Sequence, residues 1–184
     1  PYPSVITRRE IDLFIEELRA YDPHVVGISM FTVTVNVARR LTRIIHERLP
    51  GLPVLWGGIH PMVHPNDCLR GLARAPEDLA AEAADPMAEY ARDLPPTGRD
   101  DDPLQVPDIL CVSEGEIPTL TLMERWDEYT RGEIPEIPGL WFIRGNEVIR
   151  SPRAPFAKSL DEYSFPLYAH KEILIDDDRV DYKF

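Results

Sequence analysis

Three short runs of this chain are apolar at nearly every consecutive position: Val25-Val26-Gly27-Ile28, Val54-Leu55-Trp56 and Ile109-Leu110-Cys111-Val112. A strand with one face in water alternates polar and apolar residues. Unbroken apolar runs of this length suit strands covered on both faces, as in a parallel sheet flanked by helices. Segments of helical period alternate with these runs. From Thr7 to Tyr21, Thr7 and Glu10 have capping-box spacing, Ile11, Phe14, Ile15 and Leu18 form one stripe, and Asp22-Pro23 ends the pattern. From about Val35 to Leu49 the pattern turns Val37, Leu41, Ile44 and Ile45 inward and stops at Pro50-Gly51. From Pro118 to Tyr129 it does the same for Leu120, Leu122, Met123 and Trp126.

The remainder departs from this alternation. Residues 69–103 are rich in Ala, Asp, Glu, Arg and Pro, with Pro95-Pro96 and Asp100-Asp101-Asp102, and read as an acidic insert. Within it, Ala and Glu favour a surface helix over Glu77 to Ala91. Leu140 to Ile143 and Glu147 to Ile149, joined through Gly145-Asn146, predict a β-hairpin. Pro152 to Phe184 is proline-marked and extended, with acidic Asp176-Asp177-Asp178. The order helix, strand, helix, strand, insert, strand, helix, hairpin predicts an α/β, Rossmann-like, doubly wound parallel sheet with a C-terminal hairpin and an extended linker. Because the order starts with a helix, we expect the first strand or strands of such a sheet to lie upstream of residue 1. We expect residues 1–132 to form the Rossmann-like domain and 133–184 the hairpin and linker.

Composition narrows the function. With 184 residues and a net charge of −12, the surface repels phosphate backbones and anionic membranes. Nucleic acid is therefore not expected as a partner. No apolar run is long enough to span a bilayer. Two isolated cysteines, Cys68 and Cys111, fit no zinc or cluster spacing and suit a reducing, cytoplasmic compartment. Cys111 reads as a small buried strand residue.

Ligands of open α/β sheets bind beyond the carboxyl ends of the strands. Three loops fall there. Ser29-Met30-Phe31-Thr32-Val33-Thr34 carries three hydroxyls into a helix N-terminus, where polar or anionic groups are favoured. Gly57-Gly58-Ile59-His60-Pro61 offers paired glycines that let a ligand approach the backbone. Ser113-Glu114-Gly115-Glu116 offers carboxylates as acceptors. Each also has a plainer reading: hydroxyls ahead of a helix serve as caps, a Gly-Gly pair serves a turn, and Glu116 complements a helix dipole.

Taken in order, Val26-Gly27-Ile28-Ser29 through Thr34, Trp56-Gly57-Gly58-Ile59-His60-Pro61 and Ser113-Glu114-Gly115-Glu116 resemble the loop signatures of the cobalamin-binding domains fused ahead of radical S-adenosylmethionine (radical SAM) barrels. Ile137-Pro138-Gly139-Leu140, the Gly145-Asn146 turn, Pro152-Arg153-Ala154-Pro155-Phe156 and Leu160 through Pro166 resemble the connector between the two domains of those enzymes. The resemblance covers about residues 22–170 and weakens over the acidic insert. It implies cobalamin as cofactor, with Ser29, Phe31, Thr32, Val33, Thr34, Gly57, Gly58, Ile59, His60, Pro61, Ser113, Glu114, Gly115 and Glu116 around it. A base-off nucleotide tail would thread between the first two loops. It also implies a parent enzyme with a [4Fe-4S] cluster and S-adenosylmethionine, acting as a methyltransferase or a tetrapyrrole-type cyclase through a barrel in cis.

The chain departs from the family pattern in two respects. The Asp-x-His-x-x-Gly element that supplies an axial histidine in other cobalamin proteins is expected upstream of residue 1, and the chain has no Cys-x-x-x-Cys-x-x-Cys cluster motif, so no catalytic or metal-ligating residue is assigned within it. Of its histidines, His24 precedes its strand and belongs at the opposite end of the sheet. His60 stands at the ligand edge, either as a cobalt or substrate contact or as a loop hydrogen-bonding residue. His64 is a weaker candidate, and the Asp100–Asp102 run reads as solvated. The rival readings are a corrin-free Rossmann-like interaction module, a glycosyltransferase half-domain and a phosphoacceptor receiver domain. The last two lack their Gly-rich turn or acidic cluster in context.

Overall fold

The computed structural model describes residues 7–72, 102–156, 172–175 and 178–181. The expected helix over Glu77 to Ala91 and most of the acidic insert lie outside the described residues. The chain divides into two compact units: His24–Lys158, and Pro1–Pro23 with Ser159–Phe184.

In the smaller unit, α1 spans Arg8–Tyr21. Its N-terminus is closed by the predicted capping box: Glu10 N–H donates to Thr7 Oγ1, and Thr7 N–H to Glu10 Oε2 at 2.6 Å. Asp22, in the left-handed region at φ 50°, ends it. Ile11 and Ile15 of the predicted stripe are buried. The same unit holds an antiparallel pair that the sequence pattern did not show, β6 (Glu172–Ile175) with β7 (Asp178–Asp181).

The larger unit is built on one sheet of order β1-β2-β3-β4-β5. The three apolar runs become β1 (Val26–Ser29), β2 (Val54–Gly57) and β3 (Ile109–Cys111), paired in parallel as predicted. β2 and β3 are buried throughout apart from Gly57. β1, expected in the interior, lies at the edge of the described sheet and is half exposed. The hairpin is the main departure. Its strands β4 (Leu140–Arg144) and β5 (Glu147–Arg150) do not stand apart with the linker: β4 pairs antiparallel with β3, Leu110 opposite Trp141. The sheet is therefore mixed. Phe142 and Leu140, fully buried, complete a core with Ile109, Cys111, Leu122 and Ile137. The turn at Gly145-Asn146 has positive φ at Gly145 alone, the pattern of a type II′ hairpin.

α2 (Val35–Arg48) buries Val35, Ala38, Arg39, Thr42 and Ile45, while Val37, expected inward, is exposed. Two polar residues thus occupy the core-facing stripe, and both are compensated. Thr42 Oγ1 accepts the Trp56 indole N–H at 2.8 Å, and Arg39 donates to the carbonyls of Arg70 and Asp67 while its guanidinium lies over the Trp56 ring. The helix predicted from Pro118 divides at Arg125 into α4 (Glu116–Glu124) and α5 (Trp126–Thr130). Leu122 is buried there, but Leu120 and Met123 face outward. A short α3 (Ile59–Val63) follows β2. The ends of the acidic insert join the core: Leu69 and Leu72 are buried, and Gly71 packs on Asp102 and Val106. Cys68 and Cys111 are both buried free thiols, with burial raising the pKa of each.

Candidate functional site

Parallel pairing of β1, β2 and β3 brings their following loops to one edge, so the three predicted loops do lie together. What each side chain does there differs from residue to residue. Of the three hydroxyls in Ser29–Thr34, two are engaged within the protein. Thr34 Oγ1 donates to the Phe31 carbonyl and accepts the Phe31 N–H, a local turn contact, while Thr32 Oγ1 meets His60 Nδ1 at 3.2 Å. Ser29 stays exposed. Phe31 and Val33 project outward, 68% and 90% exposed, an uncommon state for apolar side chains beside a core.

The Gly57–Pro61 loop is held down rather than open. His60 has a fully buried side chain with Nε2 3.2 Å from Asp67 Oδ2. A carboxylate only accepts, so Nε2 donates to Asp67, and Nδ1 is hydrogen-bonded to the Thr32 hydroxyl. Both ring nitrogens are spent, and His60 acts in the plainer of its two expected roles, as the pin of its loop. Asp67 also binds Arg70 Nε at 2.6 Å and lies 3.9 Å from the buried Arg39 guanidinium. His64 packs its ring 5.3 Å from that of His60, and burial holds it below the usual imidazole range. The sequence reading passed over Asp67, Arg39 and Arg70, because Arg39 lies on α2 and meets the turn that carries Asp67 and Arg70 only through the fold.

Gly58 has φ 92°, and a Cβ there would stand 2.7 Å from both Met30 N and Met30 O. Met30 N–H in turn donates to the Gly57 carbonyl at 3.0 Å, so the first two loops touch each other. At this point the glycine serves close approach of backbone to backbone. Ile59 is 47% exposed, and Pro61 is buried.

In the third loop Ser113 is also committed: its hydroxyl accepts the Ala154 N–H at 2.9 Å, and a Cβ on Gly139 would lie 3.0 Å from its Cβ. The connector Pro152–Phe156 thereby crosses the end of β3, and Arg153 donates to the Val112 carbonyl at 2.8 Å. Arg153, which carries no motif that would have marked it, brings a cation to this edge. Glu114 and Gly115 are half-buried, and Glu116 is exposed in the first turn of α4. Ile117 and Phe156, both exposed, add to the apolar surface contributed by Phe31, Val33 and Ile59.

Phe31, Val33, Ile59 and Ile117, each exposed on or beside the loops that follow β1, β2 and β3, make up with Ser29, Gly115 and Glu116 the carboxyl-edge shelf. The sheet and its helices place the larger unit in the Rossmann-like α/β class. Residues 6–91 match the family model of the B12 binding domain. The match contains the first two loops, and the third lies beyond it. No curated protein matches the chain. No helix among the described residues is long and apolar enough to cross a membrane.

Proposed function

We propose that the chain holds cobalamin on the outer face of this shelf and presents it to a radical SAM barrel in cis, in a methyltransferase or tetrapyrrole-type cyclase. The observation that carries the reading is the exposed set Phe31, Val33, Ile59 and Ile117 at the carboxyl edge, within and beside a segment matching a B12 binding domain. A corrin and its nucleotide base are broad, largely apolar surfaces with amide rims. Apolar side chains would cover the faces, and Ser29, the Gly115 backbone and Glu116 would meet amides or hydroxyls. The donor set does not offer cobalt a histidine from His60, whose nitrogens are both engaged. When bound, the corrinoid supplies a transferable methyl group or a reactive cobalt centre. The protein's part is to bind it, orient it and exclude water from one face.

One observation favours a second reading. The hydroxyls of Thr32, Thr34 and Ser113 are spent within the protein, which suits a corrin-free module that uses the shelf to cover another protein surface. Anaerobic purification of the protein with its native flanking sequence separates the two. A corrinoid absorption spectrum, stoichiometric iron and sulfide, and 5′-deoxyadenosine formed from S-adenosylmethionine support the proposal. A folded protein with cluster and cleavage activity but no bound corrinoid supports the module. Corrinoid without cluster or cleavage removes the radical SAM barrel from the account.

A further inference from the structure

At the opposite, amino edge of the sheet a cavity of about 470 Å³ opens within the larger unit, walled by His24, His46, Asp108, Trp126, Tyr129 and Arg144. This volume is within the usual range for small-molecule sites, roughly 300–1,000 Å³. Its electrostatics are unusual for a chain of net charge −12. The one carboxylate in that wall, Asp108, is engaged through Oδ2, which accepts the Val54 N–H at 2.8 Å and faces His46 Nε2 at 3.1 Å. Arg144 is not satisfied in the same way. Its guanidinium lies 4.9 Å over the Tyr129 ring, and its hydrogen bond is a long one, 3.4 Å, to the Tyr129 carbonyl. It forms no salt bridge among the described residues. His24 stands edge-on to Trp126 at 6.1 Å, and the Tyr129 hydroxyl has no protein partner among the described residues. Burial raises Tyr129 to about 12, so it is a phenol and a donor. Two donors, His24 and the Tyr129 hydroxyl, and the Arg144 cation thus face a concavity with an aromatic wall, the Trp126 and Tyr129 rings being 5.0 Å apart.

We infer that this cavity is a second ligand site, for a small organic anion: a carboxylate or phosphate monoester carried on a single ring. The planar guanidinium fork suits either oxyanion, and the Trp126 face suits the ring. The site is independent of the carboxyl-edge shelf and stands whether or not cobalamin binds there.

The test is a nuclear magnetic resonance titration of the full chain with phenyl phosphate, benzoate and uncharged benzyl alcohol, read at the Trp126 indole N–H and the His24 ring. The expected result is saturable shifts with one or both anions and none with the alcohol. Arg144→Met should weaken binding by about tenfold or more, as loss of a charge-assisted hydrogen bond does. His24→Gln, at an exposed position, should weaken it less, and Arg131→Met, which breaks the exposed pair with Glu133, should leave it unchanged. If both site variants keep wild-type affinity, if benzyl alcohol shifts the same signals equally, or if neither anion gives a saturable shift, the inference is wrong.

Discussion

Gly58 rests directly on the backbone of Met30, so close that a single added carbon would lie 2.7 Å from its nitrogen and its oxygen. The backbone angles of Gly58, φ 92° and ψ −171°, also fall in a region that is essentially glycine's alone. Gly58→Val therefore acts on folding before it acts on any ligand. We expect a loss of at least about 1–3 kcal/mol from backbone strain, with the clash adding to it. Thermal melting of the apo chain checks this; a melting temperature equal to wild type would show that the two loops are not in contact.

Asp67 should matter more for stability than any residue on the shelf. Asp67→Ala removes the carboxylate 3.9 Å from the buried Arg39 guanidinium and the acceptor that orients His60. Breaking a buried pair from one side costs about 3–5 kcal/mol. Ser29→Ala, at an exposed position, should stay within about 0.5 kcal/mol of wild type. Urea denaturation of the two variants compares them directly, and an Asp67→Ala midpoint as close to wild type as that of Ser29→Ala would refute the network.

His46 sets a pH dependence. Its Nδ1 meets the Leu104 carbonyl at 3.0 Å and its Nε2 meets Asp108 at 3.1 Å, so both nitrogens face acceptors and the doubly protonated ring fits best. Burial acts to lower the pKa. The hydrogen bond and charge of Asp108, with the Leu104 carbonyl, outweigh it, and the net direction is upward from 6.5. A pKa raised in the folded state stabilises while the ring is protonated. The contribution is fully present below the unfolded value and is lost as pH rises through the folded one. The melting temperature should fall across that window, and His46→Gln should flatten the change. A wild-type melting temperature that rises over the same interval contradicts the assignment.

Much of the architecture could be read from the residues because it rests on local pattern. The apolar runs ending at Ser29, Gly57 and Cys111 became parallel strands, and the Thr7–Glu10 capping box formed. The pairing of β4 with β3 could not be read in the same way, because the partners Leu110 and Trp141 are far apart in sequence and no local period encodes their register. The buried stripe of α2 was misjudged at Arg39 and Thr42, since a polar residue looks solvent-facing until its partners Asp67 and Trp56 are known. The same blindness affected the site. His60 and Ser113 carry ligand-competent chemistry, yet Asp67 and the Ala154 amide had already engaged them. What the sequence did show was the edge itself, because sheet topology alone places those loops.

The central claim is that the carboxyl-edge shelf binds cobalamin, and an ultraviolet–visible titration of the folded chain with hydroxocobalamin tests it most directly. Saturable spectral change is expected. Ile59→Asp and Phe31→Asp should each weaken binding by roughly tenfold or more without lowering the melting temperature, because a carboxylate placed under an apolar ligand face is desolvated without a partner. A folded wild-type chain that leaves the hydroxocobalamin spectrum unchanged and retains none after gel filtration, or variants that bind as tightly as wild type, would contradict the account.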